Sequence, residues 1–184
     1  MINVDDIKYL IEKENIETIF LDVDGVVMNS IECVCEILNE RYNTNYHSID
    51  ILSWNFNEIR SDITSEEIED VFDSQIFFDN VKLYEGVLDF INVYRDKIIL
   101  FSKGGCENLY KKGIYFGDIP LVGFPLKLSK GWLNMNYKGN ALFIDDVTQN
   151  LVDSNAHCKI LFKEFEGCEW QFGWNGMVMK SWEE

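Results

Sequence analysis

The residues best suited to chemistry lie in the stretch Thr18-Ile19-Phe20-Leu21-Asp22-Val23-Asp24-Gly25-Val26-Val27. An apolar, β-branched run stops at two carboxylates spaced by one residue and followed at once by glycine. Residues two apart in a strand point to the same side. A strand that frays after Leu21 therefore brings Asp22 and Asp24 toward one site at its carboxyl end, where open α/β sheets bind ligands. Two like charges so close are costly unless a cation neutralises them or one keeps its proton. An ordinary Asp-Gly turn would account for the residue types, but a calcium loop would not. No bidentate Glu stands at the required offset, and the motif follows an apolar strand rather than a helix.

Further polar residues follow other apolar runs. Ile98-Ile99-Leu100-Phe101 leads into Ser102-Lys103-Gly104-Gly105, and Ala141-Leu142-Phe143-Ile144 leads into Asp145-Asp146. Parallel strands deliver such ends to one edge of a sheet. Four carboxylates gathered there suit a hard divalent cation with oxygen ligands, Mg2+ above all. A hydroxyl, an ammonium and the backbone amides of Gly104 and Gly105 suit phosphate oxygens. Lys130 is the favoured source of the ammonium, because Ser129 can cap a short helix that it begins. Lys127 stands close behind, and Lys138 lies a few residues before Asp145. Lys103 adjoins Ser102 and is a further phosphate ligand on the same grounds.

The elements that must position these groups are legible in outline. A helix over 5–14 carries Ile7, Leu10 and Ile11 on one face, and the first strand runs from Ile16 to Leu21. Ser30 can cap a helix with apolar positions Ile31, Val34, Cys35, Leu38 and Tyr42. Thr64-Ser65-Glu66-Glu67 has the form of a capping box, and a further helix runs from about Gly86 to Asp96. A strand near Ile119 to Leu126 contains Pro120 and Pro125 and so belongs at an edge; Lys159-Ile160-Leu161-Phe162 is the last strand. Solidly apolar strands alternating with helices predict an α/β fold, a Rossmann-like parallel sheet covered on both faces. Residues 28–83, helical in pattern, are too long for a simple crossover. They are expected to form a small helical cap inserted after the first strand into a core made of residues 1–27 and 84–184.

The bulk numbers exclude several classes. With 184 residues and 47% apolar content the chain can bury a substantial core. Its 16 basic against 32 acidic residues give a net charge of −16. Such a field repels nucleic-acid backbones and anionic membranes. This disfavours a duplex-binding role and leaves room for a local basic pocket that takes a small phosphate. The five cysteines form no zinc-finger spacing and read as reduced, mostly core thiols. The start Met1-Ile2-Asn3-Val4-Asp5-Asp6 is neither a basic leader nor a signal peptide. No apolar run approaches the ~20 residues a spanning helix needs. A cytoplasmic, soluble protein is expected, with the oligomeric state open.

Taken in order, strand–Asp22-x-Asp24-Gly25-Val26, strand–Ser102, a lysine, and strand–Asp145-Asp146 resemble the four motifs of the haloacid dehalogenase (HAD) superfamily of phosphotransferases and phosphatases. Phe77-Phe78-x-x-Val81, Glu85-Gly86-Val87-Leu88 and the tail ending in Ser181-Trp182 resemble the 5'(3')-deoxyribonucleotidase group. Two departures from that group are Val147, where it carries Arg, and the distance of Lys130 from the paired aspartates. The resemblance implies a Mg2+-dependent phosphatase acting on a small phosphomonoester, a nucleotide among the candidates. Asp22 would be the nucleophile that becomes an aspartyl-phosphate, and Asp24 the acid and base. Asp146 and Asp145 would hold the metal together with Asp22 and the Asp24 carbonyl. Ser102 would bind a phosphate oxygen. Trp54, Phe56 and Phe78 are candidates for stacking on a base, and His47 and His157 are read as structural or exposed. The alternatives are a phosphotransferase or mutase on the same scaffold, and a catalytically silent binding module.

Overall fold

The computed structural model describes residues 1–131 and 137–183. Its centre is a six-stranded, all-parallel sheet. The strands are β1 (Thr18–Asp22), β2 (Ile98–Lys103), β3 (Leu121–Phe124), β4 (Ala141–Asp145), β5 (Cys158–Phe162) and β6 (Met177–Met179). Their spatial order is β3-β2-β1-β4-β5-β6, so β1 is central and the reversal of order falls beside it. Leu21 is in register with Leu100 of β2 and with Ile144 of β4. The ends of the three strands therefore leave the sheet at one edge, and Asp22, Ser102 and Asp145 stand together there.

The strands are apolar because both faces are covered. Ile19 and Leu21 point into a core shared with the helices, while Phe20 points the other way into a smaller aromatic cluster with Phe101, Phe124 and Phe143. Phe20 and Phe101 stack with centroids 4.6 Å apart. β3 lies between Pro120 and Pro125 and is an edge strand, as its prolines require. β6, only three residues long, has no counterpart in the sequence reading.

The described helices are α1 (Val4–Lys13), α2 (Ser30–Tyr42), α3 (Ser65–Asp73), α4 (Gln75–Asn80), α5 (Val87–Val93), α6 (Cys106–Phe116) and α7 (Thr148–Asp153). Asn3 caps α1 reciprocally with Asp6. Two capping expectations need correction. Ser30 does not cap α2; it is the helix's first residue, and its hydroxyl turns to Asp24. Thr64 caps α3 by accepting from the Glu67 N–H at 3.2 Å, but Glu67 does not reach back. Its carboxylate is taken by Arg41 at 2.7 Å and by the Tyr42 hydroxyl. Helices α2, α3 and α4 follow one another between β1 and β2 and pack together. Helices α4, α6 and α7 have no counterpart in the sequence reading.

The five cysteines are free, four of them buried. Burial pushes the Cys33 thiol up to about 11 and the Cys35 thiol up to about 12, which suits inert core thiols. Among the described residues no helix is long and apolar enough to cross a membrane.

Candidate active site

Asp22 closes β1 and is 2% exposed. Its Oδ1 accepts the Val23 N–H at 2.6 Å, and its Oδ2 pairs with the Lys130 ammonium. Lys130 is equally buried and also lies 3.1 Å from Asp145 Oδ2. That ionic contact is not a well-aligned hydrogen bond, so Asp145 Oδ2 keeps unused acceptor capacity. The loop bearing Lys130 is fixed by Asn150 of α7. Asn150 Oδ1 accepts the Lys130 N–H at 3.1 Å, and Asn150 Nδ2 donates to Asp145 Oδ1 at 3.0 Å.

Asp24 is part-exposed and forms a second knot. It accepts from the Ser30 hydroxyl at 2.8 Å, from the Ser102 hydroxyl at 3.3 Å and from the Lys112 ammonium. Lys112 comes from α6, is fully buried, and also donates to Ser102 Oγ at 2.9 Å. Gly25 makes the turn between the knots possible. Its φ of +76° is left-handed, and a Cβ there would stand 2.7 Å from Asp146 Oδ2.

Asp146 is 3% exposed. Its Oδ2 accepts from Trp170 Nε1 at 3.0 Å, while its Oδ1 is buried with no hydrogen-bond partner among the described residues. Acceptor atoms of Asp22, Asp145 and Asp146 all lie within 4.8 Å of one another. Burial, with the charges of Asp145 and Asp24 adding to it and Lys130 opposing it, pushes the Asp22 carboxyl up to about 7. Burial and the neighbouring Asp22 and Asp145 charges raise Asp146 well above the ordinary carboxylate range. Burial alone would lower Lys130, but the charges of Asp145, Asp22 and Asp146 outweigh it and hold the ammonium protonated. Fully ionised, four carboxylates would face two buried ammoniums, a surplus of negative charge that the metal-free site relieves by keeping protons on Asp22 and Asp146. The donors are hard oxygens, and Asp146 Oδ1 has no partner among the described residues. This set fits a divalent cation held by Asp22, Asp145 and Asp146.

A cavity of about 410 Å³ opens onto these groups. Asp22, Asp24, Asp146, Lys112 and Lys130 form its floor, with Lys103 and Gly104 beside them. Burial, and then the repulsion of Lys130, lowers the Lys103 ammonium. The opposite wall comes from the segment between β1 and β2: Trp54, Asn55 and the α3 residues Ser65, Ile68, Glu69, Phe72 and Asp73. Ser65, Glu69 and Asp73 are spaced by four and share one face of α3.

Of the expected site residues, Asp22, Asp24, Lys103, Gly104, Lys130 and Asp146 line the cavity. Ser102 and Asp145 are fully buried behind it, Ser102 bonded to Asp24 and Lys112 and Asp145 beside Lys130. Lys127 and Lys138 are exposed and outside the lining. Of the three aromatic candidates only Trp54 lines the cavity. Phe56 is fully buried, with a left-handed φ of 52°, and is core. Phe78 packs edge-on against Phe77, and Phe72 takes the place expected of it. His47 and His157 are exposed and paired with Glu32 and Glu14. Lys112, Asn150 and Trp170 were not anticipated. The only trace of Lys112 in the sequence is its spacing of four from Asn108 and Phe116, which puts it on the buried face of α6.

No protein-family model matches the sequence, and no curated protein matches it significantly. Solved structures do. A predicted phosphoglycolate phosphatase from Haemophilus somnus superposes with a TM-score of 0.59 at 11% identity, over 91% of this chain and 95% of that one. A conserved haloacid dehalogenase-like protein of unknown function from Agrobacterium tumefaciens gives 0.58 at 11% identity, over 91% and 94%. CbbY from Rhodobacter sphaeroides, solved as a variant in complex with xylulose-1,5-bisphosphate, gives 0.53 at 14% identity, over 91% and 95%. At such identities the likeness is one of fold, and the fold is that of the haloacid dehalogenase-like proteins. None of these three is described as a 5'(3')-deoxyribonucleotidase.

Proposed function

We propose that this chain is a Mg2+-dependent phosphatase that hydrolyses a small phosphate monoester through an aspartyl-phosphate on Asp22. The observation that carries this reading is the buried carboxylate cluster of Asp22, Asp145 and Asp146, with an Asp146 oxygen unpartnered among the described residues, at a cavity that Lys103 and Lys130 line and behind which Ser102 is buried. Lys130, held between Asp22 and Asp145, orients the nucleophile and presents positive charge to the phosphoryl oxygens. Ser102, Lys103 and the Gly104 amide bind the remaining oxygens. An oxygen of Asp22 forms the new bond to phosphorus while the ester P–O bond breaks, and Asp24 gives its proton to the departing alcohol oxygen. Asp24 then takes a proton from the water that attacks phosphorus, and the Asp22–phosphorus bond breaks to release inorganic phosphate. The cation, when bound by Asp22, Asp145, Asp146 and the Asp24 carbonyl, supplies the charge that lets an anionic nucleophile meet an anionic phosphate.

Residues 28–83 act in this reading as the cap over a core of residues 1–27 and 84–184. Among the described residues lining the cavity, every cation belongs to the phosphate end, and the cap side offers Glu69, Asp73, Trp54 and Phe72. An alcohol without a second anionic group fits such a wall, and a nucleoside with its base against Trp54 or Phe72 satisfies it. This supports the nucleotidase form of the proposal over a substrate of the phosphoglycolate type. The test is hydrolysis of p-nitrophenyl phosphate by the purified chain, with a panel of nucleoside monophosphates set against phosphoglycolate. Turnover should require Mg2+, vanish in EDTA and vanish in Asp22→Asn. A folded chain with metal present and no activity on any member of the panel refutes the phosphatase reading. Preference for phosphoglycolate refutes only the substrate class.

A further inference from the structure

Asp146 is held from outside the sheet edge that supplies the other carboxylates. The N–H that fixes its Oδ2 belongs to Trp170, in a one-turn 3-10 helix at Glu169–Gln171 after β5. With Oδ2 fixed, Oδ1 is the oxygen left for a ligand. The Trp170 ring lies against Trp54, with centroids 4.5 Å apart and planes at 35°. Trp54 lines the cavity and is tied to the same turn. Its N–H donates to Glu169 Oε1 at 3.1 Å, the Glu169 N–H donates to the Leu52 carbonyl at 2.9 Å, and Cys168 Sγ donates to the Ile51 carbonyl at 3.7 Å. A carboxylate turns freely about its last torsion unless a donor fixes one oxygen, and a ligand so fixed is pre-organised for its cation.

We infer that Trp170 is a positioning residue for the metal ligand Asp146, and that Trp54 keeps Trp170 in place. The aromatic wall of the cavity and the cation site then form one mechanical unit. This rests on the metal-dependent reading above. Mn2+ serves as the probe, because it is a hard divalent ion with the same preference for oxygen ligands and its free form is counted by electron paramagnetic resonance.

Titration of the purified full chain with Mn2+ should show Trp170→Phe, which keeps the ring and loses the N–H, binding at least ~10-fold more weakly than wild type. Trp54→Leu should weaken binding in the same direction by a smaller factor. The double variant should bind no more weakly than Trp170→Phe alone, because Trp54 acts through Trp170. Trp174→Phe is the matched control. It removes an indole N–H that serves the Met177 carbonyl at 2.9 Å and should bind Mn2+ as wild type does. Thermal unfolding reports whether each variant folds, and if Trp170→Phe does not, the loss in Trp54→Leu carries the test. Wild-type affinity in Trp170→Phe, additive losses in the double variant, or an equal loss in Trp174→Phe overturns the inference. A wild-type chain that takes up no Mn2+ overturns the metal reading itself.

Discussion

Raising the pH from about 5 to about 8 in EDTA should destabilise this chain. Asp22 carries the effect. Its carboxyl moves from 3.8 in the unfolded chain to about 7 in the folded one, chiefly by burial. Between those values the folded state holds a proton that the unfolded state has released, so stability falls as pH rises through that window. Each unit is worth about 1.4 kcal/mol. The two units between pH 5 and 7 therefore correspond to about 3 kcal/mol, or roughly 6–12 °C in Tm for a domain of this size. Asp146 is raised by burial too and acts with the same sign. Carboxylates held low by surface partners, such as Asp62 beside Arg60 and Glu67 beside Tyr42 and Arg41, have the opposite sign. Their windows lie below 3.8 and 4.5, outside the range tested. His47, raised by its hydrogen bond to Glu32, works in the same direction as Asp22 but is exposed.

The assay is urea or thermal unfolding across that pH range, in EDTA and in Mg2+, on wild type and Asp22→Asn. Removing the carboxylate removes its window. The metal-free Asn variant should therefore be more stable than the metal-free wild type at pH 8, although under the proposed mechanism it should have no turnover. Mg2+ should restore the wild type at high pH, by about 2.7 kcal/mol at a hundredfold excess over its Kd. A metal-free wild type whose stability is flat or rising over this range refutes the reasoning. So does an Asn variant that declines as steeply as the wild type.

Lys112→Met leaves Asp24 without its buried counter-ion. Because the Asp24 side chain is 19% exposed and can rehydrate, the stability loss should fall below the ~3–5 kcal/mol of a fully buried pair. The turnover number should drop about 100-fold, read from urea unfolding and from kcat on p-nitrophenyl phosphate. Gly25→Ala should cost about 1–3 kcal/mol for the left-handed backbone. It should also weaken Mg2+ binding measured by calorimetry, since the new methyl meets Asp146 Oδ2.

Much of the site follows from the period of the strands. Once an apolar run is read as a buried parallel strand, the polar residue at its end must emerge at the sheet edge, and Asp22, Ser102 and Asp145 do so within one residue of register. Lys130 is favoured in the sequence because Ser129 can cap a short helix; the Ser129 hydroxyl accepts the Gly131 N–H at 3.3 Å, and the body of that expected helix lies outside the described residues. The groups that hold these residues were not legible, because each lies on an element whose local pattern is that of an ordinary surface. Lys111-Lys112 reads as a solvated pair, the usual fate of lysines. Yet Lys112 is fully buried because Asp24, 88 residues earlier, neutralises it. Trp54 and Phe56 read as one aromatic pair, until the left-handed backbone at Phe56 sends its ring into the core and leaves Trp54 at the cavity. Trp170 lies in a one-turn 3-10 helix too short to show a periodicity, 24 residues from the carboxylate it fixes. The division has a physical cause. Reactive groups end regular elements and inherit their periodicity, whereas the groups that orient them are chosen by long-range charge and packing, which spacing along the chain does not record. Stability should therefore be lost on removing Lys112 and gained on neutralising Asp22, the reverse of what their surface-like and core-like sequence settings suggest.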